Sequence, residues 1–144
     1  MGTTIRHARM LIGLVIALGA ALAACRESTV DDFNRTETNK PVVGIAPQAL
    51  AFSVVARGFS FEEYYPNPTQ GDSLAVGLAV SGYAGGSALI EIFDSTGAAR
   101  LHQTVTQSIA QGQTTVRGLP PYRVHLLFAG FTGVFALGVG AQAP

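Results

Sequence analysis

From residue 48 onward, large apolar residues alternate with small or polar ones, and clusters of glycine, proline and small polar residues separate the alternating runs. Successive side chains of an extended strand point to opposite faces, so this period of two predicts β-strands. The runs that show the pattern cover residues 49–56, 73–80, 88–94, 99–107, 113–118, 122–130 and 133–141. Seven short strands without sustained helical periodicity predict an all-β fold, a single antiparallel β-sandwich of immunoglobulin-like or jelly-roll type over residues 48–144.

Two of these runs support more specific predictions. In residues 73–80 (SLAVGLAV), leucine and valine occupy one side and alanine and glycine the other. That division predicts a strand whose second face lies close under another element. Residues 94–97 (DSTG) follow the run 88–94 directly, and they predict a type I turn closed by a glycine with a left-handed backbone.

The beginning of the chain has a different pattern. Residues 1–9 contain Arg6 and Arg9 but no acidic residue, and residues 10–24 contain no charged side chain. A basic start followed by a short apolar run is typical of a secretory signal peptide, here residues 1–24. As a helix, the fifteen apolar residues would rise about 22 Å, which is less than the roughly 30 Å of a bilayer core. A permanent membrane span is therefore the weaker interpretation.

The apolar run ends in Leu22-Ala23-Ala24-Cys25, which contains the only cysteine of the chain. This stretch resembles the lipobox of bacterial lipoprotein precursors. The resemblance implies that a dedicated signal peptidase cuts between Ala24 and Cys25, that the Cys25 thiol carries a diacylglycerol, and that the new amino group carries an acyl chain such as palmitate. Since two or more acyl chains hold a protein stably on a bilayer, we expect the membrane to be a partner through Cys25. The alternative is a conventional signal peptide that contains a cysteine by chance.

Residues 25–47 are expected to be the lipidated N-terminus and a flexible tether, because residues 26–47 are polar and carry both signs of charge. The resemblance to lipoproteins also implies a location in the bacterial cell envelope. Arg26 follows Cys25 where an acidic residue can retain diderm lipoproteins at the inner membrane, which favours the outer membrane if the organism has one. Removal of Arg6 and Arg9 leaves seven basic and nine acidic residues. This balance gives no electrostatic reason to expect nucleic acid as a partner.

Three segments, YYPNPTQGDSLAVGL, ALIEIFDSTGAAR and TGVFALGV, occur in this order between residues 64 and 139. The series resembles FlgD-type immunoglobulin-like domains and the related C-terminal sorting domains of the type IX secretion system. In particular, residues 65–68 match the Tyr-Pro-Asn-Pro opening, residues 92–97 the strand and glycine turn, and residues 133–135 the closing strand. The resemblance implies a β-sandwich and, as one alternative function, a small cargo or accessory protein of a secretion machine.

Metal-binding and catalytic motifs are absent from the sequence. His102 and His125 lie in separate predicted strands without a zinc-ligand spacing. Glu62 and Glu63 are adjacent, so in a strand they would point to opposite faces and could not work as a carboxylate pair. There is no serine-nucleophile motif and no phosphate-binding loop. We therefore predict no catalytic residue, no metal and no cofactor.

Glu91 is the most unusual carboxylate because it is flanked by isoleucines. An outward position with an ion pair to Arg100 or Arg123 is the simpler interpretation, and a raised pKa suited to acid–base work is the alternative. An envelope hydrolase would require Glu91, Asp94 or a histidine to gather in one pocket.

Four aromatic residues, Phe59, Phe61, Tyr64 and Tyr65, form the densest aromatic cluster. If exposed, they would make a binding patch for an envelope protein or a glycan, whereas the alternative is that they cover one end of the core. Taken together, the sequence predicts a lipid-anchored envelope protein with a non-catalytic binding or assembly module.

Overall fold

The computed structural model describes residues 37–67 and 69–142, so the predicted signal peptide, the lipobox residues Leu22–Cys25 and most of the predicted tether lie outside the described part. Within it, the chain forms strands and no helix. The strands are β1 (Val42–Ala46), β2 (Ala49–Asn67), β3 (Ser73–Phe93), β4 (Ala99–Val105), β5 (Ile109–Arg117) and β6 (Tyr122–Ala141). All of the pairings between them are antiparallel. The prediction of an antiparallel all-β fold is confirmed.

Three of the strands are about 20 residues long, which the sequence analysis did not predict. Each of β3 and β6 unites two predicted short strands, and β2 extends the first predicted strand through the aromatic cluster. The reason is that glycines between the predicted strands bend the chain without ending its pairing. Glycines with a positive φ lie at each bend, namely Gly58 in β2, Gly82, Gly85 and Gly86 in β3, and Gly130 and Gly133 in β6.

The bends divide the sheet into two layers. Layer A contains β1, residues 49–56 of β2, residues 133–141 of β6, residues 73–81 of β3, and β5, in that order. Layer B contains residues 59–67 of β2, 122–131 of β6, 85–93 of β3, and β4. The register of pairing shifts at the bends of β2 and β3. Such irregularities let a continuous strand change direction and pass from one packed layer to the other.

The core lies between the two layers and is rich in phenylalanine. Phe52 of layer A contacts Phe61, Tyr65 and Phe128 of layer B, with ring centroids 5.7–6.1 Å apart. Phe128 also packs edge-on against Phe135 of layer A at 5.0 Å. These contacts between residues of different layers show that the inner faces pack against each other, as the alternating pattern of large residues predicts.

The first strand lies within the predicted tether, because residues 42–46 form β1. β1 pairs with residues 49–53 of β2. Just before it, the Asn39 side chain donates to the Arg57 carbonyl and accepts from the Arg57 N–H, at 3.0 and 2.7 Å. This strand was not predicted because its sequence, VVGIA, has no polar residues that alternate with the apolar ones.

Candidate functional site

The outer face of layer A, away from the core, carries a band of small uncharged side chains across β1, β2, β6 and β3. Gly44, Ala51, Gly138 and Gly77 lie side by side across four strands. A Cβ added at any of these three glycines would have no non-neighbouring atom within 4 Å. A depression of about 610 Å³ lies on this face. The prediction that another element covers the small-residue face of residues 73–80 is therefore wrong for the described residues.

The edge of layer A that β1 forms is apolar. All five residues of β1 are exposed, and Val42 and Ile45 retain 69% and 51% of their surface. In the described part of the chain, β1 pairs along one edge only, with β2. Its other edge therefore presents backbone N–H and C=O groups without charged side chains beside them.

The outer face of layer B is polar and carries a row of four paired residues. Tyr64 of β2 lies opposite His125 of β6, which lies opposite Glu91 of β3, which lies opposite His102 of β4. The rings of Tyr64 and His125 stack at 4.1 Å with an interplanar angle of 9°. Because these residues are direct cross-strand neighbours, the sheet register itself brings them together.

His125 is nearly covered, with 6% of its side chain exposed, and each of its ring nitrogens faces a carboxylate. Nδ1 is 2.8 Å from Glu91 Oε2, and Nε2 is 3.1 Å from Glu62 Oε1. A neutral imidazole has one N–H and can donate to one of these oxygens, whereas the imidazolium ion donates to both. His125 thus connects carboxylates of the two strands that flank β6.

Glu91 connects the two histidines, since its other oxygen lies 2.8 Å from His102 Nδ1. Hydrogen bonds from His125 and then His102 lower the pKa of Glu91, although desolvation opposes them. The expected outward position of Glu91 is found, but its partners are the histidines and not Arg100 or Arg123.

The side chains of this row meet on the outer face of layer B. No group of three or more metal-ligating side chains is placed to hold an ion within the described ranges. His125, Glu91 and His102 line neither the depression of layer A nor a second one at the end of layer B, whereas Tyr64 lines the second. Its arrangement supports cohesion between neighbouring strands.

The turn after β3 holds Asp94, whose carboxylate is buried and fully bonded. Its Oδ1 accepts from the hydroxyl and N–H of Thr96 and from the N–H of Ala98, and its Oδ2 accepts from Arg100 Nε at 2.7 Å. The Thr96 hydroxyl, followed by Arg100 and the two N–H groups, holds the pKa of Asp94 well below its usual range although burial opposes this shift. Gly97 has φ 81° and donates to the Asp94 carbonyl, so the predicted turn with a left-handed glycine is confirmed.

Tyr122, at the start of β6, anchors the loop beside this turn. Its hydroxyl donates to the Gly118 carbonyl at 2.9 Å, and only 2% of the residue is exposed. Burial, followed by the charge of Asp72, raises the pKa of Tyr122. The loop between β5 and β6 is thereby fixed against the Asp94 turn.

The second depression has a volume of about 640 Å³ and lies at the end of layer B. Its lining consists of Tyr64, Pro66, Asn67, Gln70, Asp94, Ser95, Gly97, Pro121, Tyr122 and Arg123. The Arg123 guanidinium lies over the rings of Tyr64 and Phe93, 5.2 and 5.7 Å from their centroids. Among the described residues Arg123 makes no ion pair. The depression therefore contains a cation that is held against two aromatic rings and has no carboxylate partner among the described residues.

The four aromatic residues of the predicted patch do not share one surface. Phe59 is buried, and Phe61 and Tyr65 pack partly buried against the core. Only Tyr64 points outward, with 47% of its surface exposed. The alternation of β2 separates them, as it puts Tyr64 and Tyr65 on opposite faces. The part of the proposed patch that stays accessible is thus Tyr64, next to Arg123.

Sequence reasoning missed the contribution of Arg123 and the meeting of His125 with Glu91 and Glu62. Arg123 and Tyr64 are far apart in sequence, and no local motif connects them. The only available signal was that Arg123, His125, Glu91 and Tyr64 all occupy outward positions of alternating strands.

Comparisons with known proteins identify no family. No protein-family model matches the chain, and no curated protein matches it. The solved structures that resemble the chain include two with low similarity. One is a chain of the Bacillus endospore appendages, which form a family of disulfide-linked pili, with 18% identity over 73% of this chain and 92% of that chain and a TM-score of 0.42. The other comes from accessory secretory proteins 1, 2 and 3 of Streptococcus pneumoniae, with 15% identity, coverage of 76% and 90%, and a TM-score of 0.37. Since both TM-scores are below 0.5, we draw no functional conclusion from them.

The described residues also include no helix with the length and apolarity needed to span a bilayer.

Proposed function

We propose that this chain is the precursor of a lipid-anchored envelope lipoprotein whose β-sandwich is a non-catalytic assembly module. The open, uncharged edge strand β1 is the observation that supports assembly. The Leu22–Cys25 motif supports the lipid anchor. In this proposal β1 adds to the sheet of a second copy of the chain and so joins two sandwiches edge to edge.

The other edges of the sandwich contain the features that prevent such pairing. The free edge of layer B formed by β2 includes Pro66 and the inward-facing charge of Glu63, which lies opposite the buried Leu126. The β4 edge carries Arg100 and His102, and the β5 edge of layer A carries Arg117. Charged residues, prolines and inward-pointing charges are the devices by which proteins block edge-to-edge association. β1 has none of them, so it is the edge best suited to a partner strand.

The sequence of β1 suits a symmetric pairing. In an antiparallel pair of two β1 strands with a two-fold axis at Gly44, Val42 would oppose Ala46 of the second copy, and Val43 would oppose Ile45. Every pair would then consist of apolar residues, without opposed charges. A two-fold axis uses the same patch on both copies and closes the assembly as a dimer.

Substitution of Val42 by lysine tests the assembly. We expect the purified full chain to dimerise with increasing concentration in sedimentation velocity experiments, and V42K to shift this equilibrium at least tenfold toward the monomer because a charge on the edge opposes pairing. The matched control is Thr115→Lys on β5, the opposite edge of layer A, which we expect to leave dimerisation unchanged. A monomeric wild-type chain, or equal dimerisation of V42K, would contradict the proposal.

The lipid anchor is tested by Cys25→Ala followed by membrane fractionation. We expect the variant to leave the membrane fraction, and globomycin to block processing of the wild-type precursor. A variant that stays in the membrane pellet as fully as wild type would show that Cys25 is not the attachment point. Neither result depends on β1.

An envelope hydrolase is less well supported than a binding or assembly module. Glu91 meets both histidines, but on the outer face of a sheet and outside both depressions. Asp94 is occupied by four hydrogen bonds. These carboxylates do not gather in one pocket, which is the arrangement that the hydrolase alternative requires.

A further inference from the structure

The depression at the end of layer B has the size and lining of a small-molecule site. Its volume of about 640 Å³ lies within the roughly 300–1,000 Å³ range of ligand pockets. It combines an exposed aromatic side chain, Tyr64, with the guanidinium of Arg123 and the hydroxyl of Ser95. Such a combination of apolar surface with a few convergent polar groups is typical of ligand sites.

Arg123 is prepared for an anionic partner. The rings of Tyr64 and Phe93 support its guanidinium at 5.2 and 5.7 Å. This support reduces the side-chain freedom that would be lost when a ligand binds. Since the guanidinium has no carboxylate partner among the described residues, its fork of N–H donors is available for the bidentate contact that a planar carboxylate offers.

The one acidic side chain in the lining does not compete for Arg123. Both oxygens of Asp94 are occupied, and Arg100 compensates its charge. The wall instead has unused donors: the Ser95 and Tyr64 hydroxyls make no hydrogen bond within residues 37–67 and 69–142. A ligand that brings acceptor oxygens would complement this surplus.

We propose that this depression binds a carboxylate-bearing ligand of about monosaccharide size, such as a uronic acid unit of an acidic glycan. The carboxylate contacts Arg123, and the sugar hydroxyls face the hydroxyls of Ser95 and Tyr64. The volume exceeds what a carboxylate group alone would fill. This site is distinct from β1, and ligand binding does not depend on assembly.

The test is a nuclear magnetic resonance titration of the purified full chain with D-glucuronate, with D-glucose and with inorganic phosphate as separate probes. We expect glucuronate to shift the Ser95 amide and the Arg123 side-chain signals in a saturable manner, and glucose to bind at least tenfold more weakly. Equal binding of glucose, no binding of glucuronate, or tighter binding of phosphate than of glucuronate would overturn the proposal.

Three variants assign the binding to Arg123. We expect Arg123→Gln to weaken glucuronate binding by about tenfold or more, because it removes a charge-assisted hydrogen bond. Arg57→Gln removes the same charge outside the depression and should leave affinity unchanged. Ser95→Asp keeps Arg123 but places a competing carboxylate in the depression, so it should also block binding even if Arg123→Gln proves unstable. If Ser95→Asp bound glucuronate with the affinity of wild type, the proposal would be contradicted. Unchanged glucuronate binding by Val42→Lys would show that this site is independent of assembly through β1.

Discussion

Layers A and B are built from the same three long strands, yet their outer faces have opposite chemistry. Layer A presents alanine and glycine across four strands, with an apolar free edge at β1. Layer B presents the row Tyr64–His125–Glu91–His102 and the cation Arg123. The inner faces of both layers, in contrast, are mainly apolar. The comparison shows that packing constrains one face of each strand, while the other face is free to differ along the same strand.

Phe52→Ala should have the largest effect, since it acts on the interior that the two layers share. The Phe52 ring contacts three rings of layer B and Phe135 of layer A. We expect the free energy of unfolding to fall by about 3–5 kcal/mol, measured by chemical denaturation. Val55→Ala, on the outer face of the same strand, is the control and should cost about 0.5 kcal/mol. Similar losses in both variants would refute the distinction between inner and outer faces.

Gly86→Ala tests the bend that separates the layers. Gly86 has φ 77°, and an added Cβ would overlap the backbone of Gly130 on β6. We expect a loss of at least about 2 kcal/mol, because a left-handed backbone alone costs about 1–2 kcal/mol with a side chain. Gly77→Ala on the open face of layer A meets no atom and should be neutral or stabilising by about 0.5–1 kcal/mol. Thermal denaturation of both variants measures these effects. Equal destabilisation of the two variants would show that the bend does not need glycine.

Glu91→Gln tests the polar row of layer B and gives the smallest of these losses. We expect about 2 kcal/mol at pH 7, as two hydrogen bonds to a charged group are weakened. Folding lowers the pKa of Glu91, so its ionised carboxylate stabilises the folded protein at pH values above the unfolded-state pKa, about 4.3. This stabilisation is lost as the pH falls through the folded-state pKa.

Denaturation at pH 7 and at progressively lower pH should therefore show the difference between wild type and Glu91→Gln shrinking with acid. Glu37→Gln breaks an exposed ion pair with Lys40 and serves as the control, with an expected cost of about 0.5 kcal/mol or less. A difference between wild type and Glu91→Gln that is constant with pH would show that the carboxylate charge contributes nothing.

Local pattern was sufficient to predict the strand class and the buried faces. In residues 73–80 the leucines and valines are the buried residues, as alternation indicates, and Asp94 and Gly97 form the expected turn. The lengths of β2, β3 and β6 could not be predicted in the same way. A glycine cluster can either end a strand or bend it. Only continued pairing with a neighbouring strand distinguishes the two outcomes.

The candidate site was less accessible to prediction than the fold. The sequence indicated an outward Glu91, but it could not name His102 and His125 as its partners, and it grouped Tyr64 with three aromatic residues that pack inward. β1 was missed because its composition lacks the alternation that exposed polar residues provide.

By itself, the sequence determined that the domain is an antiparallel β-protein and which side of most strands is buried, because a period of two is a local property of an extended backbone. Only the tertiary structure decided which residues meet. The pairing of Glu62, Glu91 and His125 joins positions 34 and 63 residues apart, and the support of Arg123 by Tyr64 and Phe93 joins three strands. Such contacts depend on strand order and register, which are set when bent strands close a shared core and not by any one segment.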